Sequence, residues 1–284
     1  MPFPGGLVKR PLSADEIKEK ELAILLELDR ICTEHGLTYL LAYGTCLGAI
    51  RHGGFIPWDD DVDVFMPRED YEKLYTLFEQ GIESPYRLVS HRDASSLYQF
   101  FKLVDPDTEA YETFVGKKHP IGLWVDIFPL ERVDPSSQHF KPLLKKHART
   151  GLKRSFAVAD PSVASTAAIK LVKKIVCPIA RALFDVSDLN KKLEADALAL
   201  PSVTGVDASE PIEQGWVCDL LGDACVIDAS LLFPVRKTLF EGHELPVARR
   251  AEDYLEITYG DWHALPPEDQ RHLHFPEAYA IEEE

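Results

Sequence analysis

Positive charge is scarce in this chain of 284 residues: 31 Lys and Arg stand against 47 Asp and Glu, for a net charge of −16. A protein that coats nucleic acid needs many cations facing phosphates, so that class is excluded and no nucleic-acid partner is expected. Cysteine is sparse as well. The five present (Cys32, Cys46, Cys177, Cys218, Cys225) are odd in number and lack any C-x-x-C pair. That usage argues against a disulfide framework and against a zinc site. With no N-terminal apolar stretch resembling a signal peptide, the expectation is a reduced, cytoplasmic protein. No run approaches the ~18 apolar residues of a transmembrane helix. Internal repeats are missing, and low complexity is confined to Glu282-Glu283-Glu284. What remains, 45% hydrophobic and 27% charged residues, is the composition of a folded protein with a sizeable core.

The acidic excess is unevenly spread. Between Lys141 and Lys192, twelve Lys and Arg meet only Asp160, Asp185 and Asp188, so that stretch carries +9 and the rest of the chain −25. Element patterns divide the same way. Ser13 with Glu16 has the spacing of a capping box, and Ile17, Ile24, Leu25, Leu28, Ile31 and Cys32 recur at helical spacing until Gly36. A strand over Leu37–Tyr43, a turn at Gly44-Thr45 and a short helix through Ile50 follow. A loop over 51–58 leads into a strand that Pro67 stops, and a helix spans Arg68–Gln80. Further strands are predicted near Tyr86–His91, Tyr98–Val104, Ala110–Val115 and Leu123–Phe128. The fold class is therefore α+β, a mixed sheet with flanking helices. Pro135 to about Pro201 reads as helical and basic, with Ala167–Phe184 as an amphipathic helix. After about Val226 come two short strands, a helix over Arg249–Tyr259 and a Pro-rich tail expected to fold back on the core.

The chemistry concentrates at Asp59-Asp60-Asp61-Val62-Asp63. Residues two apart on a strand share a face, so Asp61 and Asp63 project together while Val62 and Val64 turn to the other side. Carboxylates this dense repel one another unless a cation or solvent stands between them. An oxygen-only ligand set favours Mg²⁺ or Mn²⁺ over zinc. A solvated acidic loop is the plainer alternative. A calcium loop fits worse: Asp59, Asp61, Asp63 and Asp70 match its positions 1, 3, 5 and 12, but Val64 stands where that loop needs glycine and Pro67 falls inside it. Upstream, Gly44-Thr45 at a helix start is a candidate phosphate cradle, offering backbone amides and a hydroxyl. Downstream, Asp126 interrupts the apolar stretch Gly122–Leu130, where an unpaired charge is costly. It is the natural third carboxylate, or else a buried turn cap before Pro129.

The stretch Leu41–Val64, which runs Tyr43-Gly44-Thr45-Cys46-Leu47-Gly48-Ala49-Ile50-Arg51-His52-Gly53-Gly54-Phe55-Ile56-Pro57-Trp58 into the acidic run, resembles the signature of the LicD family. These are cytidine-diphosphate-dependent phosphotransferases, and the family also includes fukutin and fukutin-related protein. Trp124–Leu130 resembles the family's second block. Phe240-Glu241-Gly242, Tyr254-Leu255 and Tyr259-Gly260-Asp261 resemble its C-terminal block. The resemblance implies a nucleotidyltransferase-like fold and transfer of a phospho-alcohol, commonly phosphocholine from CDP-choline, to a hydroxyl of a glycan or lipid-linked glycan. It implies Asp59, Asp61, Asp63 and Asp126 as metal-binding carboxylates. Asp61, Asp63 and Asp126 are the catalytic set, with Asp126 either a second-metal ligand or the acceptor of the substrate's proton.

Candidate donor-binding residues are Gly44, Thr45, Arg51, Trp58, Lys102 and Trp124. Arg51 suits bidentate phosphate binding, and Lys102 offers a further cation near the sheet edge. Trp58 and Trp124 could face a choline headgroup, although strand aromatics also serve the core. His272 and His274 resemble the family's tail and are not assigned to catalysis. The expected division is a catalytic core over 1–134, a basic helical insertion over 135–222 and a C-terminal segment over 223–284 that completes the core. The insertion is a candidate for contact with an anionic acceptor or the inner membrane face, or simply a solvated surface. Three rival functions are a nucleotidyltransferase, a nucleotide-sugar glycosyltransferase and a non-catalytic binding module on a decayed scaffold.

Overall fold

The computed structural model describes residues 7–111, 120–161, 167–207, 210–220, 226–267, 271 and 277–283. The first half of the chain contains β1 (Leu7–Pro11), α1 (Ala14–His35), β2 (Leu40–Leu41), α2 (Tyr43–His52), β3 (Val62–Pro67), α3 (Arg68–Glu79), β4 (Arg87–Val89), β5 (Phe101–Val104), β6 (Thr108–Ala110) and β7 (Trp124–Val133). Three helices follow, α4 (Phe140–Val158), α5 (Ala167–Leu183) and α6 (Val186–Thr204). The remainder is β8 (Trp216–Cys218), β9 (Val226–Asp228), α7 (Ala229–Leu232), β10 (Arg236–Phe240), β11 (His243–Val247), α8 (Ala251–Tyr259) and β12 (Ala278–Glu283). The fold is α+β, as the sequence patterns predict.

The central sheet runs in the order β2-β3-β7-β5-β4, with β8 pairing the far end of β7 and β9 pairing β8. β3 and β7 are parallel, while β2, β5 and β4 join antiparallel. Val62, Val64, Val125 and Ile127 are buried in the main core, together with the Ile24, Leu25, Leu28 and Ile31 stripe of α1. The predicted capping box is present: the Ser13 hydroxyl accepts from the Glu16 backbone N–H, and the Glu16 carboxylate accepts from the Ser13 N–H at 2.8 Å. Gly36, in a left-handed conformation (φ 64°), ends the helix. The tail does fold back, since β12 pairs both β1 and β6.

Several elements depart from the sequence reading: the strand expected over Leu37–Tyr43 is reduced to Leu40–Leu41, and β1, β8 and β12 had no sequence signal. β5 begins at Phe101 and lies between β7 and β4, so Lys102 is not near a sheet edge. β7 runs through Pro129 instead of ending before it. Pro129 is tolerated because β5 pairs only with residues 124–127 and β8 begins at Glu131, leaving that edge of the strand without a partner that would need the missing N–H. The helix expected after Gly44-Thr45 takes in both residues and starts at Tyr43. The far part of the predicted 110–115 strand, Cys225, His272 and His274 lie outside the described residues.

The basic segment is helical. α6 packs against α4 and β7, while α5 packs mainly against α4. A charged and polar seam joins these helices to the 90–99 connection. Glu194 of α6 accepts from Arg92 Nε at 2.6 Å and lies 3.3 Å from His91 Nε2, and Asn190 donates to Leu97 O at 3.0 Å.

Candidate active site

Pairing register builds the site. Asp63 lies opposite Asp126 across the parallel β3/β7 pair, and Lys102 lies opposite Asp126 across the antiparallel β7/β5 pair. Registered partners share a face, so Asp63, Asp126 and Lys102 form one row across three adjacent strands. Lys102 is fully buried and donates from Nζ to Asp126 Oδ1 at 2.5 Å. Burial pushes the lysine's pKa down, against the pull of Asp126, Asp63 and Asp61. Asp63 is driven well above the usual carboxylate range, first by desolvation and then by the like charges of Asp61 and Asp126. The row is thus over-supplied with carboxylate, and Lys102 is the cation paired to Asp126.

Local structure holds the acidic run in place. The Thr45 hydroxyl accepts from the Asp63 N–H at 2.9 Å, and Ala42 N–H donates to Asp63 O at 2.9 Å, tying α2 to the start of β3. At Gly44 a Cβ would meet Asp59 Oδ2 at 2.8 Å, so glycine lets that carboxylate approach the start of α2, where the helix dipole favours an anion. The turn expected to cradle phosphate therefore has Asp59 against it, and Gly44 and Thr45 position carboxylates. Tyr43 enters this helix with φ 41°, a left-handed conformation costly for a bulky side chain. It is held by a bond from its hydroxyl to Asp219 and by a bond from its N–H to the Tyr254 hydroxyl at 3.1 Å.

The aromatic candidates separate. Trp124 is buried, and the Lys102 ammonium sits 4.0 Å from its ring centroid, so the face expected for a ligand's cation is taken by this lysine. Tyr98 and Phe100 complete the aromatic surround of Lys102, with centroids at 4.3 and 5.1 Å. Trp58 lies elsewhere, on a cleft of about 430 Å³ shared with Arg51, Tyr259, Trp262 and Leu265. The Arg271 guanidinium stands 4.3 Å over its ring, so this face does receive a cation. Arg51 donates to Trp262 O at 2.8 Å and shapes the cleft wall. Tyr259 joins cleft to carboxylates, since its hydroxyl is pushed up by burial and then by Asp63, Asp59 and Asp61.

Two residues escaped the sequence reading. Glu21 on α1 is fully buried, and neither carboxylate oxygen has a hydrogen-bond partner. Burial raises its pKa well above the usual range, as do Asp61, Asp60, Asp126 and Asp63, which places it behind the acidic cluster. A charged residue set four positions from both Ile17 and Leu25 in the apolar stripe was the available signal. Glu241 is the other. At the tip of the β10/β11 hairpin, its Oε1 accepts from Phe55 N–H at 2.9 Å and its own N–H donates to Gly53 O at 2.9 Å, clamping the loop that delivers Asp59. Among the described residues, no three His, Cys, Asp or Glu side chains are grouped so that they could hold a metal ion by themselves.

The site is thus a carboxylate row on the mixed sheet of an α+β domain, fed by a glycine-containing helix start and flanked by an aromatic cleft. Residues 36–157 match the family described as LicD/FKTN/FKRP, nucleotidyltransferase domain. The chain is similar to the lipopolysaccharide cholinephosphotransferase LicD of Haemophilus influenzae, with 29% identity over 280 residues that span 93% of this chain and 98% of the relative. Shorter matches connect it to uncharacterized proteins of Rickettsia typhi (34% over 76 residues, 25% of each chain) and Rickettsia prowazekii (35% over 69 residues, 24% of this chain and 26% of the relative). Among the described residues no helix is long and apolar enough to cross a membrane.

Proposed function

We propose that this protein is a LicD-like phosphotransferase that moves phosphocholine, or a related phospho-alcohol, from a CDP-linked donor to a hydroxyl of a cell-surface glycan such as a lipopolysaccharide precursor. The observation that carries this reading is the Asp63–Asp126–Lys102 row beside an aromatic cleft in a chain that matches LicD along nearly its whole length. The reading places the protein in the cytoplasm, at the inner membrane face where lipid-linked glycans are reached. Residues 1–134 and 223–284 supply catalysis, and 135–222 form a basic helical segment that faces the acceptor or the membrane surface.

The donor set fits a hard divalent ion. It consists of oxygens only, and the buried negative charge around Asp63 exceeds what Lys102 balances. Asp61 and Asp63, with Asp59 and Asp126 beside them in the charge cluster, are the residues that would hold Mg²⁺ or Mn²⁺ together with the bound donor. Such an ion would supply charge neutralisation on the donor's pyrophosphate. The chain's own residues do the rest. Lys102 pairs with Asp126 through Nζ and Oδ1, and Asp126 takes the proton of the acceptor hydroxyl. The acceptor oxygen bonds to the choline-bearing phosphorus, the bond from that phosphorus to the bridging oxygen breaks, and CMP leaves with the electron pair. The cleft of Trp58, Tyr259 and Trp262 receives the donor, and a quaternary ammonium would reach the Trp58 face only by displacing Arg271, which stands 4.3 Å over that ring.

Incubation with Mg²⁺ and, separately, CDP-choline, CDP-ribitol, CDP-glycerol, CDP-ethanolamine and CTP tests the reading. CMP release from a CDP-alcohol, abolished by Asp61→Ala and Asp63→Ala, is the expected result. Pyrophosphate release from CTP would instead identify a nucleotidyltransferase, and unchanged CMP release in both variants would end the catalytic assignment.

A further inference from the structure

α5 is built the wrong way round for a helix in water. A surface helix ordinarily hides its broad apolar face and shows its polar one. Here the side packed on α4 is narrow and small, centred on Cys177 and Ala180, both buried. The opposite side carries Leu171, Val172, Ile175, Ile179 and Leu183, which are 63%, 54%, 60%, 53% and 68% exposed. At 3.6 residues per turn these five fall within an arc of about 120°, a continuous aliphatic strip along the helix. Lys174, exposed, flanks the strip about 60° from Leu171, and Lys170, one turn earlier and also exposed, lies about 40° further round. Lys153 of α4 adds a third exposed cation at the far end, 5.4 Å from the Phe184 ring. Arg181 is spent otherwise, donating to Ala157 O and Ala159 O at 3.0 and 2.6 Å and fixing α5 to the end of α4.

We propose that α5 docks the protein on the surface of a bilayer that carries anionic headgroups. The strip is convex and aliphatic, the shape that sinks into the boundary between headgroups and acyl chains, and it offers no groove to receive a partner's side chains. The bordering lysines extend their ammonium groups to lipid phosphates while their stems lie on the apolar surface. The charge pattern points the same way: the local excess of cations belongs to a chain whose net charge is −16. A molecule so acidic would be repelled from an anionic membrane everywhere except at such a patch, which therefore also sets its orientation. The inference adds a surface to the proposed transferase and stands on α5 alone, independent of which phospho-alcohol is transferred.

Co-sedimentation of the full-length protein with vesicles of phosphatidylcholine, with and without phosphatidylglycerol, tests it. Binding is expected only with phosphatidylglycerol present and should weaken as salt is raised. Ile175→Ser with Ile179→Ser, and separately Lys170→Glu with Lys174→Glu, should each lower the vesicle partition coefficient more than tenfold. All four side chains face solvent, so far-UV circular dichroism, the melting temperature and CMP release in the absence of vesicles should stay at wild-type values. Those controls separate failure of docking from failure of the transferase reading. Equal vesicle binding by the serine variant would overturn the proposal. So would a wild-type protein that ignores vesicles but dimerises in sedimentation velocity through the same residues, since the strip would then be a protein interface.

Discussion

Glu21 and Lys102 are both fully buried beside the same aspartates, yet they affect stability in opposite directions. Lys102 has a partner in Asp126, and removing one member of a buried pair leaves the other charge stranded. Lys102→Met should therefore destabilise the fold by about 3–5 kcal/mol in urea denaturation, despite restoring an apolar side chain. Glu21 has no such partner, and its neighbours are like-charged. Glu21→Gln keeps the shape, removes the ionisable group and adds two donors toward the aspartates. It should raise stability by about 1 kcal/mol, read in the same assay, and a loss instead would reveal a favourable contact made by the carboxyl. The two residues were unequally legible. Asp61, Asp63 and Asp126 announce themselves because charge interrupts strands of Val and Ile. Glu21 is one acidic residue among many on a charged helix, and only the burial of its stripe makes it unusual.

At the scale of elements, the β10/β11 hairpin explains a sequence block that had only a resemblance to recommend it. Phe240-Glu241-Gly242 is a hairpin tip: Glu241 and Gly242 turn with φ 48° and 82°, and Phe240 packs edge-on against Phe55 with ring centroids 5.0 Å apart. Its reach to the 53–55 loop is a contact between residues 186 positions apart, and no local pattern reports such a distance. Gly54 is small for the same reason, since a Cβ there would overlap the Glu241 carboxylate. Glu241→Ala should cost about 0.5–1.5 kcal/mol of stability and lower CMP release more than that cost alone predicts, because the loop it clamps delivers Asp59. Faster proteolytic nicking at Gly53-Gly54 would accompany the loss. Helix positions were legible from periodicity and caps. The strand ends were not, because the extents of β5 and β7 depend on which neighbouring edge is paired.

For the whole molecule, the question is what holds the basic helices to the sheet. The Arg92–Glu194–His91 contact is the main ionic tie, with Arg92 also gripping Glu72 through two bonds of 2.7 Å. Burial alone would raise the Glu194 pKa, but hydrogen bonds from His91 and Arg92 outweigh it and hold the group at about 2. A depressed carboxylate stabilises the folded state above its unfolded value and loses that contribution as pH falls through the folded one. Glu194→Gln should thus cost about 1.5–3 kcal/mol at neutral pH. The gap to wild type should close between pH 4.5 and about 2, followed by urea denaturation at stepped pH. If the gap is independent of pH, the tie is not ionic.

The parallel pairing of β3 with β7 has a consequence in time as well as in space. Asp63 and Asp126 meet only after the roughly sixty residues between them have found their places, and a parallel pair has no hairpin to shorten that search. A refolding chain accordingly acquires its caps and helices before it acquires the Asp63–Asp126–Lys102 row. Nascent or truncated molecules that lack β7 carry the whole acidic run without the partner strand that completes this row.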